Sequence, residues 1–146
     1  MKFNASQLDS DFYLARAKAE ANEIFSKTST RLERSFKKIL ETTLYGHAPE
    51  VFLINEMGFS DDVRKYKDVI DADNRFVEVK VTEGDYYVPY VLKRANRARQ
   101  DVWRDHPDIL YIFIGNKMTA DYSLYGVYHW EENKKQFVLQ NRRKIV

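Results

Sequence analysis

Residues 66–81 read YKDVIDADNRFVEVKV. Two runs with period-two character, Tyr66–Asp71 and Phe76–Thr82, flank the turn-forming Ala72-Asp73-Asn74-Arg75, a pattern that predicts a β-hairpin. In the second run Val77, Val79 and Val81 fall on one face and Glu78 and Lys80 on the other, because strand side chains alternate. The loop length sets which residues oppose one another. A two-residue turn at Asp73-Asn74 pairs Val69 with Glu78 and puts Asp68 on the valine side. A three-residue loop, Ala72–Asn74, pairs Val69 with Val77 and Asp68 with Glu78, which keeps the valines together. A one-residue slip inverts the whole strand, so the two registers cannot blend, and apolar burial favours the second.

Upstream, roughly the first 57 residues read as helix. Residues 10–27 are Ala-rich and weakly amphipathic. A second helix is expected from Thr30, capped by the T-x-x-E box with Glu33, to Gly46, and a third from Pro49 to Gly58. Downstream, Tyr86–Val88 reads as extended, Pro89 opens a helix to about Arg104, and Asp108–Ile114 (DILYIFI) suits a buried strand. Tyr122–Trp130 and Gln136–Leu139 read as two further strands. The expected fold is α/β, a mixed β-sheet flanked by helices, in one domain spanning residues 1–146. Its parts are N-terminal helices (1–45), a core (46–115), and C-terminal strands with a basic tail (116–146).

The composition is that of a folded chain, with 44% hydrophobic and 14% aromatic residues. With no cysteine, disulfides and Cys-based zinc sites are excluded. The N-terminus lacks the apolar run of a signal peptide, and no stretch approaches the roughly 20 apolar residues of a membrane span, so a cytoplasmic protein without membrane contact is expected. His47, His106 and His129 have no ligand spacing, no nucleotide-binding glycine motif occurs, and no serine sits in a nucleophile elbow. The net charge of +2 is unevenly distributed. Residues 93–104 hold five basic side chains against one acidic, and residues 134–146 hold five against none, a blocking that suits a polyanion.

Asp68, Glu78 and Lys80 are the residues that promise chemistry. Two carboxylates on one strand pair repel unless a cation lies between them, and hard oxygen donors suit Mg²⁺. A lysine beside that ion can position or deprotonate water, or steady charge developing on a phosphate. The same triplet is also compatible with an ordinary ion pair on a half-exposed strand. On the helix opened by Pro89, Lys93, Arg97, Gln100 and Arg104 line one face, either a row of phosphate contacts or a solvated surface. Arg99 projects toward the apolar side, where it snorkels, pairs with an acid or reaches the site. Tyr86 and Tyr87 either stack on bases or pack. Lys134, Lys135, Arg142, Arg143 and Lys144 form a second phosphate contact or a solubilising end.

The D-(x)9-E-x-K pattern on a hairpin, after a Glu-bearing helical segment, resembles the PD-(D/E)xK nuclease superfamily, the restriction-endonuclease-like proteins. The resemblance covers residues 46–115. Asp68 matches the family's strand-leading aspartate and Glu78 and Lys80 its E-x-K. Glu50, in GHAPEVFLINEMGF (46–59), matches its helix-borne glutamate, a role open also to Glu41 or Glu33. Lys67 stands where the family often has proline. The resemblance implies a restriction-endonuclease-like core and a Mg²⁺-dependent DNA endonuclease, with Mn²⁺ as substitute. Asp68, Glu78, the backbone carbonyl of Val79 and Glu50 would hold the metal, and the products would carry 5′-phosphate and 3′-hydroxyl groups. One site per chain makes a homodimer the natural route to a double-strand cut. The alternative is an inactive nucleic-acid-binding or regulatory module on the same fold, or a protein-interaction domain sharing only the ion pair.

Overall fold

A computed structural model describes residues 1–27, 35–61, 68–100 and 107–140. Strand β4 (Phe76–Thr82) lies inside a mixed sheet, antiparallel to β3 (Val69–Ile70) and parallel to β5 (Ile109–Gly115). Beyond β3 the short β2 (Ser60–Asp61) forms one edge. Beyond β5 runs β6 (Asp121–Glu131), which pairs with β1 (Lys2–Asn4) near its start and with β7 (Gln136–Leu139) near its end. Among the described residues the strand order is β1-β6-β5-β4-β3-β2, with β7 also on β6.

Helices α1 (Ser10–Phe25) and α2 (Phe36–Met57) share a core with one face of this sheet, and α3 (Val88–Arg99) shares another with the opposite face. The alternation of β4 sorts its side chains between the layers. Val77 and Val79 are buried in the α1/α2 layer, while Glu78 and Lys80 line a cleft against α3. β5 is apolar on both faces because both are covered, as its uninterrupted run requires. Phe3 of β1 is stacked between Phe52, at a centroid distance of 4.3 Å, and Tyr122, at 4.9 Å. The N-terminus is thereby tied into the same core as the hairpin.

The architecture is α/β with a mixed sheet covered on both sides, as expected, but several local expectations are corrected. The first 57 residues are not all helical, since Lys2–Asn4 is a strand. α1 begins after Asp9, whose carboxylate accepts the amide protons of Asp11 and Phe12. The expected T-x-x-E start at Thr30 and Glu33 lies outside the described residues; α2 as described is capped by Ser35. Gly46 and Pro49 do not divide α2, which runs unbroken through both. Proline at 49 removes the amide that would reach the carbonyl of Tyr45, four residues back. That carbonyl instead accepts the hydroxyl of Tyr122 at 3.0 Å, so the helix continues without an orphaned acceptor. α2 does end at Gly58, which takes the left-handed conformation (φ 73°) while the Phe59 amide closes on the Leu53 carbonyl. Asp85–Tyr87 is a 3-10 turn rather than an extended piece, and α3 runs to Arg99, with positions 101–106 outside the described residues.

Candidate active site

The hairpin adopts the three-residue register, with Val69 opposite Val77 and Ile70 opposite Phe76. Asp71 builds the loop. Its carboxylate accepts the amides of Asp73 and Arg75 and the Arg75 guanidinium, and Asn74 supplies the left-handed residue (φ 63°). Asp71 is therefore spent on the turn. Continued one step past the Val69–Val77 pair, this register sets Asp68 opposite Glu78. There the Asp68 carboxylate accepts the Val79 amide proton at 2.8 Å. Alternation of the antiparallel ladder turns the Val79 carbonyl toward that same edge of β4. Asp68 thus sits where β3 gives way, with its carboxylate against the backbone between Glu78 and Lys80. Glu78 itself lies 3.5 Å from the Lys80 ammonium, and the lysine is the more exposed of the two.

A second set of side chains arrives from the α1/α2 layer. Glu50 of α2 is buried, with 7% of its surface exposed. Arg16 of α1 lies 2.8 Å from its carboxylate, and the same guanidinium bonds Asp61 of β2 at 2.9 Å and the backbone carbonyl of Asp68 at 3.1 Å. Arg16 also meets Nδ1 of His47 at 2.8 Å, and Nε2 of His47 meets Glu20 of α1 at 2.5 Å. Arg16 and Glu20 are one helical turn apart, as Ala17 and Ala21 are. The two alanines are fully buried, so the charged pair lies beside the packed seam.

Electrostatics binds the two sets together. Burial pushes the Glu50 carboxyl up to about 8, the charge of Asp68 adds to the rise, and Arg16 offsets only part of it. Asp68 is likewise raised, first by burial, against the Val79 hydrogen bond, with Glu78 adding repulsion and Lys80 relief. Glu20 is lowered by its hydrogen bond to His47, and Arg16 and Lys80 contribute in the same direction. Asp68 is therefore the member that feels both Glu78–Lys80 and Arg16. Glu50 is drawn into its field from the helix behind.

The structure thus brings Asp68, Glu78, Val79 and Lys80 together on β4's edge and sets Glu50 behind them. Glu41 is exposed on α2, and Glu33 lies outside the described residues. Arg16, Glu20 and His47 were not among the residues singled out from the sequence. Their trace in the sequence is the four-residue spacing of Arg16 and Glu20 beside Ala17 and Ala21, which marks a charged row on α1 without naming what it meets.

On α3, Lys93 and Arg97 are exposed, and the Gln100 amide donates to the carbonyl of Lys135 at 3.1 Å. Arg104 lies outside the described residues, as do Arg142, Arg143 and Lys144. The helix cation that lines the cleft with Glu78 and Lys80 is Arg94, beside Tyr90, Val91, Ala95 and Ala98. Arg99 pairs with Asp108 at 2.6 Å and lies over the Trp130 ring, which settles its three readings in favour of an acid partner.

Among the described residues, no three His, Asp or Glu side chains converge to hold an ion as they stand. Each acid instead holds a donor from the protein: Arg16 on Glu50, the Val79 amide on Asp68 and Lys80 on Glu78. The donor set nonetheless fits a hard divalent cation. Burial and neighbouring negative charge raise the carboxyls of Glu50 and Asp68, and a cation among these oxygens would relieve that repulsion. Mg²⁺ commonly takes one or two carboxylates and completes its shell with water and phosphate. No described helix is long and apolar enough to cross a membrane. Compared with protein families, curated proteins and solved structures, the chain finds no match.

Proposed function

We propose that this chain is a metal-dependent endonuclease that hydrolyses DNA phosphodiester bonds, with a restriction-endonuclease-like core. The observation that carries the reading is the position of Asp68. Ten residues before Glu78 in sequence, it lies across the hairpin from it, with its carboxylate on the Val79 amide between Glu78 and Lys80. The Glu-bearing helix, hairpin, following helix and apolar strand also come in the order that the resemblance implies.

Asp68, Glu78 and the Val79 carbonyl would hold Mg²⁺, or Mn²⁺ in its place, with Glu50 joining through water. The ion, when bound, supplies Lewis-acid polarisation of the phosphate and a more acidic water. Lys80, projecting from a rigid strand, orients the attacking water and steadies charge developing on the phosphate. Arg16 holds Glu50 and the backbone of Asp68 in one frame, so that the helix and strand acids keep their relative positions. Lys93, Arg94 and Arg97 draw the DNA backbone toward the cleft. The products carry 5′-phosphate and 3′-hydroxyl groups, and a homodimer of this chain, acting in the cytoplasm, would supply two sites for a double-strand cut.

The test is incubation with labelled duplex, single-stranded and branched DNA, and with RNA, in Mg²⁺, Mn²⁺ and EDTA. Metal-dependent DNA cleavage supports the reading, and its absence with every DNA form overturns it. A second reading has one observation behind it, the protein donor already on each acid, which suits an inactive nucleic-acid-binding module. Such a module binds DNA equally with and without Mg²⁺ and cuts none.

A further inference from the structure

We infer that the cleft between β4 and α3 is a subsite for an unpaired base, and that the DNA this protein takes is single-stranded at the point of contact. This rests on the proposed function in taking DNA as the polymer. Tyr90 and Arg94 stand one turn apart on α3, a step of about 6 Å along one face, and Tyr86 precedes them on the 3-10 turn that leads into the helix. Tyr86 is 79% exposed and Tyr90 60% exposed, so neither ring serves the core. Tyr87, also exposed, meets Tyr86 edge-on at 4.5 Å. The Arg94 guanidinium lies 5.8 Å from the Tyr90 ring, a planar cation beside a planar aromatic.

Beside this row the cleft encloses about 260 Å³, with Val91, Ala95 and Ala98 on the helix side and Glu78 and Lys80 on the strand side. That is below the roughly 300–1,000 Å³ of sites for drug-sized ligands and suits a group the size of one base. Paired bases inside a duplex keep their faces stacked on each other and offer none to a protein ring. Unpaired bases offer a face at every step, and aromatic rings beside cations are how proteins hold them without regard to sequence. Exposed Lys93 and Arg97 on the same helix supply the charge complement for the strand's phosphates. A base in the cleft lies next to Glu78 and Lys80, so its own phosphate is the one presented to the proposed site.

The test is binding of a labelled 12-nucleotide single strand and of its duplex in EDTA, where no cleavage intervenes. The single strand is expected to bind about tenfold more tightly or better. Tyr90→Ala and Tyr86→Ala should each weaken single-strand binding by about tenfold, without altering its salt slope, because a neutral ring releases no counterion. Tyr90→Phe, which keeps the ring, should bind as the parent does and guards against a fault of folding. Equal affinity for the two forms, or parental single-strand binding by Tyr90→Ala, overturns the inference. Failure of the proposed function looks different. Single-strand preference and tyrosine dependence with no cleavage in Mg²⁺ or Mn²⁺ leave this subsite standing and remove the nuclease.

Discussion

The Arg16 guanidinium of α1 lies 2.8 Å from the buried carboxylate of Glu50 in α2, and the same group holds Asp61 and the Asp68 backbone. Two helices and two strands are thereby pinned by a single cation. Removing one partner of a buried pair leaves the other charge without compensation, at a cost of roughly 3–5 kcal/mol. Arg16→Ala is expected to lose stability on that scale at pH 10, well above the Glu50 value of about 8, and less at pH 5, where Glu50 is protonated. Arg16→Ala combined with Glu50→Gln should recover most of the loss. Urea unfolding of the three variants at both pH values measures this, and equal losses at pH 5 and pH 10 would refute it.

Glu50 also sets a pH dependence whose sign follows from its environment. Its carboxyl is raised from an ordinary 4.5 to about 8 by burial first and by Asp68 second. Between those values the folded protein binds the proton more tightly than the unfolded chain. Stability therefore falls as pH rises through this window, by on the order of a few kcal/mol, and levels off above it. Glu50→Gln should flatten the fall. Added Mg²⁺ should raise Tm most above pH 8, where Glu50 is ionised, and should not do so in Asp68→Asn. Melting curves from pH 5 to 9, in EDTA and in Mg²⁺, check both statements.

Asp68 and Asp71 have opposite roles on one hairpin, and substitution separates them. Asp68→Asn keeps an acceptor for the Val79 amide but removes the charge, so metal-dependent cleavage should be abolished with the fold intact. Asp71→Asn weakens the contact with Arg75 and so lowers stability, by about 1 kcal/mol, while folded protein keeps most of its cleavage. Lys80→Ala should abolish cleavage while weakening DNA binding far less, since its proposed role is chiefly toward the reacting water. Parental rates from Lys80→Ala, or full loss from Asp71→Asn in folded protein, would move the site elsewhere.

The basic row on α3 is read through salt. Replacing Lys93, Arg94 and Arg97 with alanine should reduce the log–log salt slope by about 0.9 per lost phosphate contact on duplex DNA and about 0.7 on a single strand. Arg99→Ala should leave the slope unchanged, because Asp108 already holds that charge. Titrations between 50 and 200 mM salt decide the point, and an unchanged slope in the triple variant removes this face of α3 from the interface.

The parts of this arrangement that were legible in advance are those governed by local parity. Valines alternating with Glu78 and Lys80 determine which face of β4 is buried, and burying them selects the loop that places Asp68 opposite Glu78. Arg16, Glu20 and His47 were not legible because their meeting depends on how two helices pack across 31 residues of sequence. A helical wheel does not single out Arg94, because it ranks faces by polarity alone. Which polar face meets the strand depends on how α3 settles over β4, and that places Arg94 in the cleft, whereas Lys93 and Arg97 are exposed and do not line it. β1 and β2 escaped because runs of three and two residues carry too little alternation to be read, and only the neighbouring strands make them strands.

From the sequence, Pro49 marks the start of a helix, because proline is favoured in the first turn and destabilises a helix interior. The structure resolves the conflict through Tyr122, whose hydroxyl takes the carbonyl of Tyr45 that the missing amide would have filled. The packing around Gly115 makes this reach possible, since a side chain there would collide with the Tyr122 ring, 2.6 Å from the position of its first carbon. Two substitutions test the exchange. Tyr122→Phe keeps the stacking on Phe3 but strips the carbonyl of its donor, for a loss of about 1–2 kcal/mol. Pro49→Ala restores the helix amide to that same carbonyl, so in its background Tyr122→Phe should cost measurably less, by 0.5 kcal/mol or more in a double-mutant cycle of about this size. Urea unfolding of the four proteins gives the coupling directly. Additive losses would mean that the Tyr122 hydroxyl does not replace the missing bond and that α2 passes through Pro49 for another reason.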